Sequence, residues 1–250
     1  MERLYPDYCS MAPEEIYQDL TFPGDLLDRP YVAINMVTTV DGKATLGGKS
    51  YSIGSKADHL VMRRIRAAAD GLMIGGETLR RENVNPSVPT DLQERRIARG
   101  LAPQPRGIVV TGTAGLPLTG TFFRTGAFPP IVVTTGRVSQ ERIAALEPHA
   151  RVLVAGEERV DPHLMMRTLA DEYGIHRLVV EGGPTLNGVL LDEGMVDELF
   201  WTVAPKLVGG PALRTMIEGG ALPIDDLARL QLLSLHHHEN ELYIRYRVAR

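Results

Sequence analysis

Cysteine is almost missing from these 250 residues: the single Cys9 rules out an intramolecular disulfide framework and any metal site built from several thiolates. Aromatic residues make up only 6%, with one tryptophan, and no apolar run is long enough for a membrane span of roughly 20 residues. No membrane association is expected. Neither charge sign dominates, since 27 basic and 31 acidic residues leave a net charge of −4. That balance provides no global positive field for nucleic acid. The opening residues, Met1-Glu2-Arg3-Leu4-Tyr5-Pro6, lack the apolar core of a signal peptide, and a cytoplasmic protein is expected. There is no G-x-S-x-G elbow of a hydrolase and no G-x-x-x-x-G-K-[ST] phosphate loop.

What is present is an ordinary globular composition, 44% hydrophobic and 23% charged, with length enough for a full core. Short apolar runs at 30–40, 71–75, 107–111, 130–135, 151–155, 177–181 and 198–204 read as strands. Helical patterns lie between several of them. Ser55 caps a helix over 56–69, another falls near 139–146, and Asp161-Pro162 opens one that Gly174 stops. Residues 82–105, with four prolines, read as loop. Alternation in the last segments, broken at Glu239-Asn240, predicts a terminal antiparallel hairpin. The class is therefore α/β, with a mainly parallel central sheet flanked by helices. No repeat or linker divides the chain, so one domain over 29–250 is expected, preceded by an irregular arm over 1–28 with one helical turn at 13–20.

In sheets of this kind ligands sit outside the carboxyl ends of the strands. Asp41-Gly42, Gly75-Gly76-Glu77-Thr78, Thr134-Thr135-Gly136 and Glu181-Gly182-Gly183 all fall there. The last is the most telling: a strand, a glycine pair, then a helix from about Leu186. Such a turn presents main-chain N–H groups and a helix dipole to an anion, and glycine lets a phosphate approach the backbone. Glycine pairs also close many turns that bind nothing, and G-G-x-x-x-x-G is not the dinucleotide fingerprint. Thr78 can cap a helix or bind a phosphate. Asp41 can be a turn residue, or a carboxylate for proton transfer. Residues 43–81 carry eight basic side chains against three acidic ones, which suits a small anionic ligand as well as a solvated helix face. The run His236-His237-His238 points alternately to opposite faces of a strand, and no metal site is expected there.

Taken in order, these turns resemble the C-terminal reductase domain of the bifunctional riboflavin-biosynthesis deaminase–reductases and its stand-alone relatives. The resemblance rests on Arg29-Pro30-Tyr31-Val32 through Val40-Asp41-Gly42-Lys43 and on Arg66-Ala67 through Gly75-Gly76-Glu77-Thr78-Leu79. It continues in Val180-Glu181-Gly182-Gly183-Pro184-Thr185-Leu186 and in Val196-Asp197-Glu198-Leu199 to Ala204-Pro205-Lys206-Leu207-Val208-Gly209-Gly210. It implies a dihydrofolate-reductase-like fold, a homodimer, and NADPH-dependent reduction of the ribosyl group of a ribosylaminopyrimidine 5′-phosphate. Under it Asp41 and Glu181 are catalytic, with Asp41 handling a proton, and Asn35, Ser50 and Arg66 bind the phosphorylated small-molecule substrate. NADPH falls to Val37, Ser52, Thr78, Glu82, Gly182, Gly183, Pro184, Thr185 and Leu186. One cysteine leaves no zinc deaminase domain, which matches the stand-alone form.

Three positions depart from the family pattern. Asn35 replaces a lysine common in bacterial members, as in many stand-alone relatives, and Ser52 stands near a usual tryptophan. The stretch Arg81-Glu82-Asn83-Val84-Asn85-Pro86 runs on to Asp91 without the arginine expected to bind substrate. That loss keeps two alternatives open: reduction of another pterin-like substrate such as dihydrofolate, and NADPH binding without turnover. The strand Leu199-Phe200-Trp201-Thr202-Val203 can serve either a dimer contact or the core.

Overall fold

The structure, a computed structural model, describes residues 1–24, 28–50, 52–125, 127–210, 213–220, 225 and 227–249. Its strands are β1 (Glu2–Tyr5), β2 (Cys9–Ser10), β3 (Tyr31–Thr39), β4 (Gly71–Gly75), β5 (Arg106–Val110), β6 (Ile131–Thr134), β7 (Arg151–Val154), β8 (Arg177–Val180), β9 (Glu198–Ala204), β10 (Arg229–His238) and β11 (Glu241–Ala249). The helices are α1 (Lys56–Ala67), α2 (Gly76–Arg81), α3 (Thr90–Ala98), α4 (Gln140–Leu146), α5 (Pro162–Asp171) and α6 (Pro184–Asp192). Residues group into two compact units, each assembled from separated stretches of chain. The first contains Met1–Leu20, Val32–Ile65 and Pro184–Arg250; the second contains Thr21–Tyr31 and Arg66–Gly183.

The second unit holds five parallel strands in the order β8-β4-β5-β6-β7. Parallel strands are covered on both faces, which explains why they read as unbroken apolar runs. Ile74, Val109 and Val132 pack with Leu79, Phe122 and Leu146 in one buried cluster. The expected cap of α5 is in place: Asp161 accepts from the N–H groups of His163 and Leu164, with Pro162 in the first turn. Ser139, not singled out from sequence, caps α4 by accepting from the Arg142 N–H. Gly174 follows α5 with φ +63°, a left-handed stop.

One helix of this unit was not expected. Within 82–105, taken above for loop, α3 runs from Thr90 to Ala98. Its inward positions are Leu92 and, one turn on, Arg96, which is only 1% exposed. An arginine facing inward erases the apolar stripe by which a helix is recognised. Arg96 lies over the end of α1: its Nη1 donates to the carbonyls of Ala67, at 3.1 Å, and Ala69, and its Nε to that of Ala102 at 2.8 Å. A cation at the carbonyl end of a helix satisfies orphan acceptors and opposes the dipole. Burial pulls its guanidinium down to about 10, so it stays charged at neutral pH.

In the first unit β3 and β9 pair in parallel, and β11, β10, β1 and β2 continue the sheet with antiparallel pairs. The arm expected to be irregular therefore carries two strands, with β1 on β10; the reason for the miss is their length of four and two residues. Among the arm's described residues, Pro13–Glu15 alone is helical, as a single 3-10 turn. The predicted hairpin is β10–β11. Glu239 and Asn240 have φ of 48° and 69°, the two positive values that a two-residue hairpin turn needs to match strand twist. The strand β9 is paired on both sides, by β3 and β11, with Leu199 and Phe200 buried and Trp201 and Val203 half-buried. Ser55 caps α1 as expected, accepting from the N–H groups of Ala57 and Asp58.

His236, on β10, is 4% exposed, lies edge-on to the Tyr17 ring at 5.5 Å, and leaves its Nδ1 buried without a partner among the described residues. Burial and the Arg3 cation lower its pKa from 6.5 to about 4. The unfolded chain thus takes up a proton near pH 6.5 that the folded state refuses until about pH 4. Stability is complete above that window and falls as pH drops through it. Thermal unfolding should show the midpoint falling between pH 6.5 and 4 in the wild type, and falling less in His236→Phe, where no proton is gained.

Candidate functional site

At the carboxyl end of the second unit's sheet, two glycine turns meet backbone to backbone. The Gly75 N–H donates to the Gly182 carbonyl at 2.7 Å, and the Glu181 N–H to the Met73 carbonyl at 2.9 Å. Gly182 has φ +85°, and the Gly182–Gly183 peptide is cis. A Cβ on Gly75 would lie 3.0 Å from the Gly183 nitrogen, and one on Gly183 would lie 3.2 Å from the Thr78 hydroxyl. Contact between the turns thus crowds a side chain at Gly75 and Gly183, and the positive φ of Gly182 favours glycine there. A ligand-facing role is compatible with this, because Thr78 brings its hydroxyl to Gly183 and makes no hydrogen bond to a described residue with it. The hydroxyl of a half-buried threonine that bonds no described residue, beside main-chain N–H groups at a strand end, suits a phosphate oxygen. Glu82 ends α2, half-buried, with its N–H on the Thr78 carbonyl at 2.9 Å.

Arg66 and Glu181, predicted separately as substrate ligand and catalytic acid, are brought together as a pair. The Arg66 Nε donates to Glu181 Oε1 at 2.7 Å and Nη2 donates to Oε2 at 2.6 Å, a two-pronged bond between side chains 7% and 10% exposed. The third arm, Nη1, donates to the Asn85 carbonyl at 2.8 Å. The guanidinium is therefore engaged on three sides, and Glu181 directs its charge at Arg66. The pair fastens the glycine turn to the stretch 83–87, where the chain leaves the family pattern. Asparagines order that stretch: Asn85 Oδ1 accepts from the N–H and hydroxyl of Ser87, and Asn83 Oδ1 accepts from the Thr121 N–H. Asn85 was not singled out from sequence, although Asn-Pro is a recognisable turn signal.

In the first unit Asn35 and Val37 stand two residues apart on β3, on one face and half-buried. The turn after β3 carries Asp41, whose carboxylate accepts from the N–H groups of Val208 at 3.3 Å and Gly209 at 2.8 Å. The Thr39 hydroxyl and the Gly209 N–H hold this carboxyl below the usual carboxylate range, so it is ionised at neutral pH. Ser50 accepts the Ile53 N–H at its carbonyl, at 2.9 Å, and Ser52 is exposed. Pro184 opens α6, where a missing N–H costs nothing, and Thr185 and Leu186 follow in its first turn. Arg214, not predicted, donates to the Thr185 hydroxyl at 3.4 Å. Of the histidine run, His236 is buried and His237 lies 3.4 Å from Glu2; among the described residues no three His, Cys, Asp or Glu side chains group as metal ligands.

With this geometry in view, the chain was compared with known proteins. The RibD C-terminal domain family matches residues 30–244. A 2,5-diamino-6-ribosylamino-4(3H)-pyrimidinone 5′-phosphate reductase from Methanothermobacter thermautotrophicus is 33% identical over 221 residues, covering 88% of this chain and 99% of the relative. A protein of the same name from Aquifex aeolicus is 35% identical over 215 residues, covering 83% and 92%. The crystal structure of a pyrimidine reductase-like protein from Corynebacterium diphtheriae superposes with a TM-score of 0.79 at 24% identity, over 96% of this chain and all of that one.

The Arg66–Glu181 pair makes a stability prediction. Removing one partner of a buried pair strands a charge and costs about 3–5 kcal/mol, whereas replacing both with apolar residues is often close to neutral. Urea unfolding of Arg66→Met should show a loss of that order, and Arg66→Met/Glu181→Leu should recover most of it.

Proposed function

The chain belongs to the RibD C-terminal domain family, and we propose that it is an NADPH-dependent reductase that converts the ribosyl group of a ribosylaminopyrimidine 5′-phosphate to ribityl in riboflavin biosynthesis. The carrying observation is identity of 33% along 99% of a relative named for that reaction. The glycine turn supports it, since the Thr78 hydroxyl beside Gly183, which bonds no described residue, fits a cofactor phosphate. NADPH, when bound, supplies the hydride that reduces C1′ of the ring-opened sugar. In this reading Thr78, Gly182 and Gly183 hold its pyrophosphate, with Thr185 and Leu186 offering N–H groups from the first turn of α6. Val37, Ser52, Glu82 and Pro184 complete the cofactor contacts, and Asn35 and Ser50 face the substrate.

The two carboxylates take different parts. Glu181 is a positioning residue, because its oxygens hold Arg66 and leave no acid to donate. Asp41 remains the catalytic candidate. An ionised carboxylate favours the cationic iminium form of the opened sugar, the form that accepts hydride at carbon while its nitrogen keeps its proton. The same reading takes the protein to be a cytoplasmic homodimer. Dihydrofolate is the second substrate considered, because Arg66 is engaged and the expected arginine after Pro86 is missing.

An NADPH-oxidation assay tests the reading. Turnover is expected with the ribosylaminopyrimidine phosphate and not with dihydrofolate; tight NADPH binding with turnover of neither would show a binding protein instead. In that assay Asp41→Asn should lower kcat by about a hundred-fold or more, with NADPH affinity retained. The depressed Asp41 pKa gives the sign of the pH effect: the acid limb of kcat should lie below the ordinary carboxylate range.

A further inference from the structure

The stretch leading into α1 is gripped by charged groups from two other parts of the first unit. The Lys206 ammonium donates to the carbonyls of Ser52, at 2.9 Å, and Ile53, at 2.6 Å. A few residues on, the Glu241 carboxylate accepts from the Ser55 N–H at 2.9 Å and the Ser55 hydroxyl at 2.6 Å. Between them Ile53 is fully buried, and its N–H closes a turn on the Ser50 carbonyl. Glu241 is fixed in turn by the buried Tyr243 hydroxyl.

Lys206 does not hang free at its own end. Its carbonyl accepts the Val40 N–H at 2.9 Å, and the Asp41 carboxylate holds the next two N–H groups but one, those of Val208 and Gly209. The turn after β3 therefore holds residues 205–210, and Lys206 within them holds 52–53. Two carbonyls on one ammonium are charge-assisted bonds that no neutral side chain of this length reproduces. We propose that Lys206 is a positioning residue for substrate binding, acting through the main chain of Ser52 and Ile53, whose N–H bonds the Ser50 carbonyl, to place Ser50. This rests on the reading of Ser50 as a substrate contact.

The test pairs kinetics with amide hydrogen exchange on Lys206→Met, which keeps the stem and removes the charge, and on Lys206→Arg. Lys206→Met should raise KM for the ribosylaminopyrimidine phosphate about ten-fold with little change in kcat. The amides of Ile53 and Ser55 should exchange faster, and Lys206→Arg should restore both. Unchanged exchange overturns the anchor. Faster exchange with an unchanged KM overturns the role in substrate binding. A wild-type protein without turnover overturns the reductase reading and the KM effect with it, while the exchange rates still decide the anchor.

Discussion

Two strands that end at the same level in a parallel sheet must turn away side by side, and in the second unit both turns do so with their backbones touching. The Gly75 N–H on the Gly182 carbonyl, at 2.7 Å, is the bond that joins them. That closeness crowds a Cβ at Gly75 or Gly183. It also decides where the neighbours go. Thr78 reaches Gly183 only because α2 starts at the first turn, and Glu181 meets Arg66 only because the second turn begins just beyond it. Glycine here is favoured by the protein's own packing, and the opening toward a phosphate is what that packing leaves at its edge.

Elements held together by apolar periodicity were readable from the sequence. The buried runs of β4, β5, β6 and β8 need no partner to be recognised, and the caps at Ser55 and Asp161 follow from local hydrogen bonding. What escaped depends on distant partners. The helix α3 turns an arginine inward because the carbonyls closing α1 await it, and nothing within 82–105 announces them. The strand β1 is too short to show alternation and exists because β10 offers an edge. At the site, motif order found Arg66 and Glu181 but assigned each to a ligand. Their bond to each other spans 115 positions and leaves no trace in local pattern.

Charged side chains in this protein chiefly manage main-chain groups. Asp70 receives the N–H groups of His176 and Arg177 as well as the Arg177 guanidinium, Arg96 closes a helix end, and Asp41, Lys206 and Glu241 hold loops. Such bonds fix irregular backbone that cannot satisfy itself through a ladder. They also explain how a chain with many loop segments near its candidate site keeps them in defined places.

The strand order of the first unit has a consequence for synthesis. The last strand, β11, lies between β10 and β9, with an antiparallel ladder on each side. Everything that the second unit contains has been translated by Gly183, so its parallel sheet can assemble while the ribosome is still at work. The first unit holds β1 and β2 yet cannot close its sheet until β11 has been made. Until β11 is made, β9 has an unpaired edge on that side along Leu199, Phe200 and Trp201, and such an edge is open to mispairing.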